Sequence, residues 1–352
     1  MARVRPPLLL RTSTRWAGLS RSSAQLILGG IPLLVLAALL LPPAGLVPWE
    51  AEIGFHHALA DRIRHGDEDF YTAALAALRA SGLPAGPFTA IPLPLTATIL
   101  AAVPSLAATL ALSLLVTGTG LAWARHVASG IAGRAIVFGL VLLGGGATFA
   151  PGMITVPALW AGWLITLSLA LRRPGHWLDA AALGAAAALL HEGAAFYIVV
   201  MGAWAWRDGS RREALAWCAA LVPLGLALSA HVYASSLVAG AVAGAAAASA
   251  GPGPALAEVF GAGGYLSPRL AAPVAIVVLL GWSAWRDPIA VRAATVLAAY
   301  AIVSIAPTGS SLLPLLCAPM ALIGLAPAVD GLRDLLAAAL DRRRITVTRV
   351  VR

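Results

Sequence analysis

The sequence predicts an all-α fold: a polytopic transmembrane helical bundle of about ten spans, several of them short or broken. Three observations predict it. Of the 352 residues, 60% are hydrophobic and only 11% charged, where a soluble domain carries roughly 25% charged residues, and mean hydropathy is +0.87. The apolar residues come in long blocks, as spanning helices require. The arginines stand at the ends of those blocks, which is the footprint of membrane topology and anionic head groups.

That placement also decides what the formal charge of +9 means. Cations at block ends meet lipid, so the expected partners are membrane lipids and not nucleic acid. The chain has no lysine and abundant Ala, Leu and Gly, a matter of base composition more than mechanism. Cys218 and Cys317 both lie inside apolar segments, where neither a disulfide nor a metal site is expected.

The first apolar block, 24–41, follows Arg3, Arg5, Arg11, Arg15 and Arg21. It is long, lacks a small-residue cleavage site and is followed by more blocks, so it reads as an uncleaved first helix with a cytoplasmic N-terminus. The longest polar stretch, 42–92, comes next and is expected to be an outer acidic loop. It holds Glu50, Glu52, Asp61, Asp67, Glu68 and Asp69 of the fifteen acidic residues. Apolar blocks then run over about 94–124, 135–150, 153–171, 178–206, 214–232, 270–285, 290–306 and 311–328. Pro94 and Pro104 divide the first of these into a short re-entrant or interfacial piece and a span. Trp49, Trp123, Trp206 and Trp285 fall near block ends and are expected to be interfacial anchors.

Block 178–206 decides the topology. It is too long for one span, which needs roughly 20 residues, and carries His191 and Glu192 at its centre. As one helix it would put Arg172 and Arg173 opposite Arg207, Arg211 and Arg212, against the positive-inside rule. As two short helices broken at His191-Glu192-Gly193, it keeps both clusters cytoplasmic. With the break, Arg125, Arg134, Arg286, Arg292, Arg333 and Arg342–Arg344 also fall on that side. The layout is therefore a basic cytoplasmic N-terminus (1–23), one transmembrane domain (24–333) and a basic cytoplasmic C-terminal tail (334–352). The Gly/Ala-rich stretch 235–264 reads equally as a loop, a re-entrant hairpin or a further pair of helices.

The acidic loop and the His-Glu turn share the outer face. Half-helices meeting in a polar break survive only when buried in protein or lining a wet cavity, and a carboxylate there is costly enough to mark function. These features describe a polar pocket into which Glu192 projects and which Asp67, Glu68 and Asp69 cover. Two carboxylates near one cavity can divide labour, one accepting a proton from a hydroxyl while the other stays charged beside an oxocarbenium ion. Arg79 and Arg269 are placed to hold a phosphate through paired N–H donors. Plainer readings stand beside these. An acidic run is more often solvated surface, Glu192 with His191 is equally a cap on a half-helix, and interfacial arginines ordinarily meet head-group phosphates. His56-His57 lacks a third ligand at useful spacing. No cofactor is expected, although a divalent metal stays open.

The order of the pieces resembles the C-type superfamily of membrane glycosyltransferases. More narrowly, three runs look like a bacterial family of glycosyltransferases of cell-surface glycopolymer formation: Asp69-Phe70-Tyr71-Thr72-Ala73-Ala74, Leu78-Arg79-Ala80-Ser81-Gly82-Leu83-Pro84 and Gly86-Pro87-Phe88. The similarity resumes at Trp160-Ala161-Gly162-Trp163-Leu164-Ile165, at 169–174, over 191–217 with its Arg-Glu-Ala-Leu-Ala-Trp ending, and from Ala318-Pro319 to Ala326-Pro327. The resemblance implies sugar transfer from a polyprenyl-phosphate donor to an envelope glycan, lipid or protein on the outer face of a bacterial inner membrane. By the same resemblance Asp69 is the base or electrostatic stabiliser, with Asp67 and Glu68 as rivals and Tyr71 beside the substrate, and Glu192 fits the acidic position of the later break. The chain departs from the family at His191, where an arginine is expected, at Ile91-Pro92-Leu93, which lacks a basic residue, and at Thr308-Gly309-Ser310-Ser311, which replaces polar aromatics.

A transporter or flippase of envelope precursors is the alternative of another class. Transporters favour internal repeats and mid-helix charge, neither of which is evident here. A non-catalytic partner of glycopolymer assembly is the third reading. The absence of a Gly-rich phosphate loop favours a lipid-linked donor over a nucleotide sugar.

Overall fold

The computed structural model describes residues 7–40, 49–66, 69–83, 90–239, 258–264, 266–305 and 312–340. Their helices are α1 (Arg21–Leu40), α2 (Glu50–His65), α3 (Phe70–Ala80), α4 (Pro94–Ala102), α5 (Ser105–Val127), α6 (Ile131–Gly144), α7 (Pro157–Leu171), α8 (Leu178–Leu190), α9 (Ala195–Arg207), α10 (Arg211–Ala239), α11 (Pro268–Ala284), α12 (Pro288–Val303) and α13 (Leu325–Leu340). Among the described residues there is no strand, only the isolated bridges Leu10–Ala128 and Arg173–His176. The fold is all-α. Helices α1, α5 and α10 are long and apolar enough to cross a membrane, and α6, α7, α8, α11 and α12 are shorter apolar helices.

Local chemistry sets many of the boundaries. Proline stands in the first turn of α4, α7, α11 and α12, where its fixed φ suits a helix and its missing N–H is not needed. The Asp69 carboxylate caps α3 and the Asp287 carboxylate caps α12. Gly66 ends α2 at φ 72°, a left-handed geometry that glycine adopts without strain.

The break expected within 178–206 is present. Helix α8 stops at Leu190, a 3-10 turn spans Glu192–Ala194, and α9 follows. Each helix has 13 residues, about 20 Å long. Arg172, just past α7, pairs with Glu213 in the first turn of α10, so the basic clusters on either side of the two short helices meet at one end of the molecule. Arg11, Arg134, Arg286 and Arg292 also bond to residues of that end. It is called the basic end below, and the His191–Gly193 turn marks the break end.

Three expectations need correction. Stretch 42–92 is not a loop throughout, because α2 and α3 form within it and pack on each other. Their buried faces, Phe55, Leu59, Ala73, Ala74, Ala77 and Leu78, make a small core of their own. Block 311–328 is not one helix: its described part runs through a 3-10 turn, Leu313–Leu316, and a one-turn helix, Ala318–Ala321. Glycines allow this irregular chain to thread the interior, since a Cβ on Gly162 would lie 2.2 Å from the Leu315 carbonyl oxygen. Finally, α13 continues to Leu340, past the boundary drawn at 333. Residues 341–352, including Arg342–Arg344, lie outside the described residues, as does 240–257 of the Gly/Ala-rich stretch.

The basic N-terminus is likewise part of the bundle. Asp330, buried in α13, accepts the backbone N–H groups of Leu8, Leu9 and Leu10 at 2.6, 2.9 and 2.9 Å, and Asp334 accepts the Thr14 hydroxyl at 2.5 Å. Trp16 is buried with Leu335 and Ala339 in a cluster that includes Ala24 of α1. Asp330→Asn keeps the shape but turns one acceptor into a donor facing these N–H groups. It is expected to cost about 1–3 kcal/mol. Hydrogen exchange at Leu8–Leu10 should then rise to the level of an exposed segment, and unchanged protection would show that Asp330 does not hold it.

Candidate functional site at the break end

At the break, several of the freed backbone groups find partners inside the protein. His191 is extended (φ −150°, ψ 120°), and its Nδ1 accepts the Gly193 N–H at 3.1 Å. The Gly193 carbonyl accepts the Tyr300 hydroxyl of α12 at 3.2 Å. A Cβ on Gly193 would sit 2.6 Å from a Leu313 methyl carbon, so the turn is packed closely against the threaded segment. Burying an irregular turn among such partners is the condition for a broken helix in an apolar setting. His191 is the cap of this turn. Glu192 is half-buried, and its carboxylate makes no hydrogen bond or ion pair among the described residues.

Helices α2, α3 and α4 cover this end. Thr96 of α4 donates to the Leu190 carbonyl at 3.4 Å. The Tyr71 hydroxyl lies 3.2 Å from Nδ1 of His231 in α10, and Nε2 of His231 lies 3.1 Å from the Ile91 carbonyl. This bridge ties α3 to the long helix. His56 of α2 is buried, and burial together with the nearby His191 ring pushes its pKa down to about 3, so it stays neutral at any physiological pH. His57 points elsewhere and meets Asp61 at 3.3 Å. Among the described residues no three metal-type ligands cluster.

Asp69 is exposed, and both oxygens of its carboxylate serve as a cap. It accepts the Tyr71 and Thr72 N–H groups at 2.9 and 3.2 Å and the Thr72 hydroxyl at 2.6 Å. These bonds, the Thr72 hydroxyl first, hold its pKa below the usual carboxylate value, which makes a stable anion and a weak base. Asp67 and Glu68 lie outside the described residues, so any cover they give to a pocket does too. Arg79, on the last turn of α3, and Arg269, on the first turn of α11, are exposed and pair with no carboxylate among the described residues. The structure brings Tyr71 and His231 together, and places His191 and Glu192 in one turn. It gives no contact of Arg79 or Arg269 with either pair.

His231 and Tyr300 were missed by the sequence reading. Their signal was weak: a histidine inside the apolar block 214–232 and a tyrosine inside 290–306, each a polar ring where apolar ones predominate.

The basic end adds two pairings and corrects one more reading. Arg172 and Arg292 are buried partners of Glu213 and Asp208. Trp123 and Trp285 are buried as well, not interfacial. Trp123 donates to the Thr166 carbonyl at 2.9 Å and meets Trp282 edge-on at 5.9 Å. Trp206 is exposed, as an anchor would be.

The fold and its two polar ends define an all-helical protein with three helices fit to cross a membrane. Compared with protein-family models, with curated proteins and with solved structures, the chain matches none.

Proposed function

We propose that the chain is a multi-pass protein of a bacterial inner membrane, with its basic end and both termini in the cytoplasm and its break end outside. The lateral leucines support embedding: Leu26, Leu33 and Leu40 on α1, Leu106 and Leu114 on α5, and Leu226 and Leu237 on α10 are all exposed, a surface that water would not tolerate. We further propose that it transfers a sugar from a polyprenyl-phosphate donor to an envelope glycan, lipid or protein acceptor. The reading rests on the resemblance of the chain to membrane glycosyltransferases. The observation that carries it in the structure is Glu192, a carboxylate unpartnered among the described residues, in a turn whose His191 ring and Gly193 backbone groups are bonded.

In this reading Glu192 takes the proton of the acceptor hydroxyl as its oxygen bonds to the anomeric carbon. The bond from that carbon to the phosphate oxygen breaks with inversion, and the phosphate leaves with the electron pair. Arg79 and Arg269, exposed and without a carboxylate partner among the described residues, are assigned to the departing phosphate. Asp69, weighted first by the sequence, becomes the cap that holds α3 and presents Tyr71, because both its oxygens already accept hydrogen bonds from the first turn of α3.

Complementation of a deletion strain tests this, with envelope glycan composition as readout and membrane abundance matched. Glu192→Gln is expected to lower sugar incorporation by about 10²–10⁴-fold. Asp69→Asn retains a capping side chain without the charge and is expected to restore incorporation nearly in full. Full restoration by Glu192→Gln would remove the transferase site and favour a transporter or an assembly partner. Failure of Asp69→Asn at normal abundance would return the base to Asp69.

A further inference from the structure

The basic end carries a cavity that the transferase reading does not use. Its volume is about 600 Å³, and it is lined by Arg11, Arg125, His126 and Arg173 over apolar walls that include Leu121 and Leu167. Three separate segments supply the arginines. Arg11 comes from the N-terminal segment, whose Leu10 bridges to Ala128 and whose Arg11 Nε donates to the Ala128 carbonyl at 3.4 Å. Arg125 lies in the last turn of α5. Arg173 sits in the turn after α7, closed by its bridge to His176 and by Gly175 at φ 78°.

The charge here is not spent internally. Arg172 and Arg292 pair with carboxylates, whereas Arg125 and Arg173 have no carboxylate partner among the described residues. His126 is held in the wall by Asp287 at 3.3 Å and by the Trp285 ring at 5.7 Å. Leu121 is exposed on the lateral face of α5, so the cavity opens sideways onto the apolar surface as well as toward the end. Guanidinium groups converging on one volume suit a phosphate ester, and the leucine walls suit a hydrocarbon chain beside it.

We propose that this cavity binds the phosphate head group of an anionic phospholipid, with Arg11, Arg125 and Arg173 on the phosphate and an acyl chain along the α5–α7 groove. The inference requires embedding in a bilayer but not the transferase activity. Each arginine near an anionic lipid contributes about a fivefold preference. The test uses the full chain in phosphatidylcholine nanodiscs and spin-labelled phosphatidylglycerol, with lipid association read by spin resonance. Arg125→Gln with Arg173→Gln is expected to lower the wild-type preference roughly 25-fold. Ala122→Phe, which sets a ring against the apolar wall where the acyl chain would lie and leaves every charge, is expected to lower it as well. Arg21→Gln, an exposed arginine of the same end outside the cavity, should leave it within about twofold.

An equal loss for Arg21→Gln and for a cavity arginine would mean diffuse surface attraction and would overturn the site. So would an unchanged preference in the double variant or in Ala122→Phe. Displacement of the labelled lipid by millimolar inorganic phosphate as effectively as by unlabelled phosphatidylglycerol would assign the cavity to a soluble anion instead.

Discussion

Glu213→Ala should leave little folded protein. Glu213 is 1% exposed, and its two oxygens take the Arg172 guanidinium at 2.9 and 2.8 Å, while Trp217 approaches the same carboxylate at 3.5 Å. Arg292, buried by α12, also lies within electrostatic range of both Arg172 and Glu213. Removing the carboxylate leaves one guanidinium without its partner and a second to repel it. Breaking a buried pair from one side costs about 3–5 kcal/mol, a large share of the 5–15 kcal/mol that holds an ordinary domain together. The expected result is loss of the monodisperse species in detergent and a sharp fall in membrane abundance. Arg172→Met combined with Glu213→Leu removes both charges and should recover most of that abundance, since the desolvation cost disappears with the attraction. A Glu213→Ala protein as heat-stable as wild type would show that the pair is not structural.

Gly281→Ala should be as damaging through packing alone. Gly281 of α11 faces Gly324, one residue before α13, and an added Cβ would stand 1.8 Å from the Gly324 carbonyl oxygen and 2.8 Å from the Ala328 nitrogen. Both neighbours are backbone, so no side chain can turn aside. Overpacking usually costs about 1–3 kcal/mol, and a contact this short against two main chains belongs at or above the top of that range. Gly225→Ala is the control, because nothing lies within 4 Å of a Cβ there and alanine is the better helix former by about 1 kcal/mol. The midpoint of thermal unfolding in detergent should fall steeply for the first and hold or rise for the second. Equal midpoints would mean that α11 and α13 can separate without loss.

These two results rest on different kinds of legibility. Helical class, the division at Pro104 and the break at His191 could be read from the sequence because each is written locally. Long apolar blocks give helices, proline sets a helix start, and arginine clusters on both sides of an overlong block demand a reversal. The candidate site was half legible. Glu192 stood out as a carboxylate in an apolar run, but Asp69 drew the greater weight although it is a cap. The cap is itself a local feature, since Thr72, three residues on, folds back onto Asp69, so an Asp-x-x-Thr start to an apolar helix was a legible sign of capping.

What the sequence by itself determined is therefore the helical class, the apolar blocks and the placing of two basic clusters on one end through a broken pair of helices. What only the tertiary structure decided is which polar groups meet. Asp330 lies in α13, about 320 residues from the N–H groups it accepts. The partnerships of Arg172 with Glu213, Tyr71 with His231 and Gly281 with Gly324 likewise join different elements. The physical reason is range. Hydropathy and helix geometry act over a few turns, whereas burying a charge or bringing two backbones into contact depends on which other helix arrives opposite.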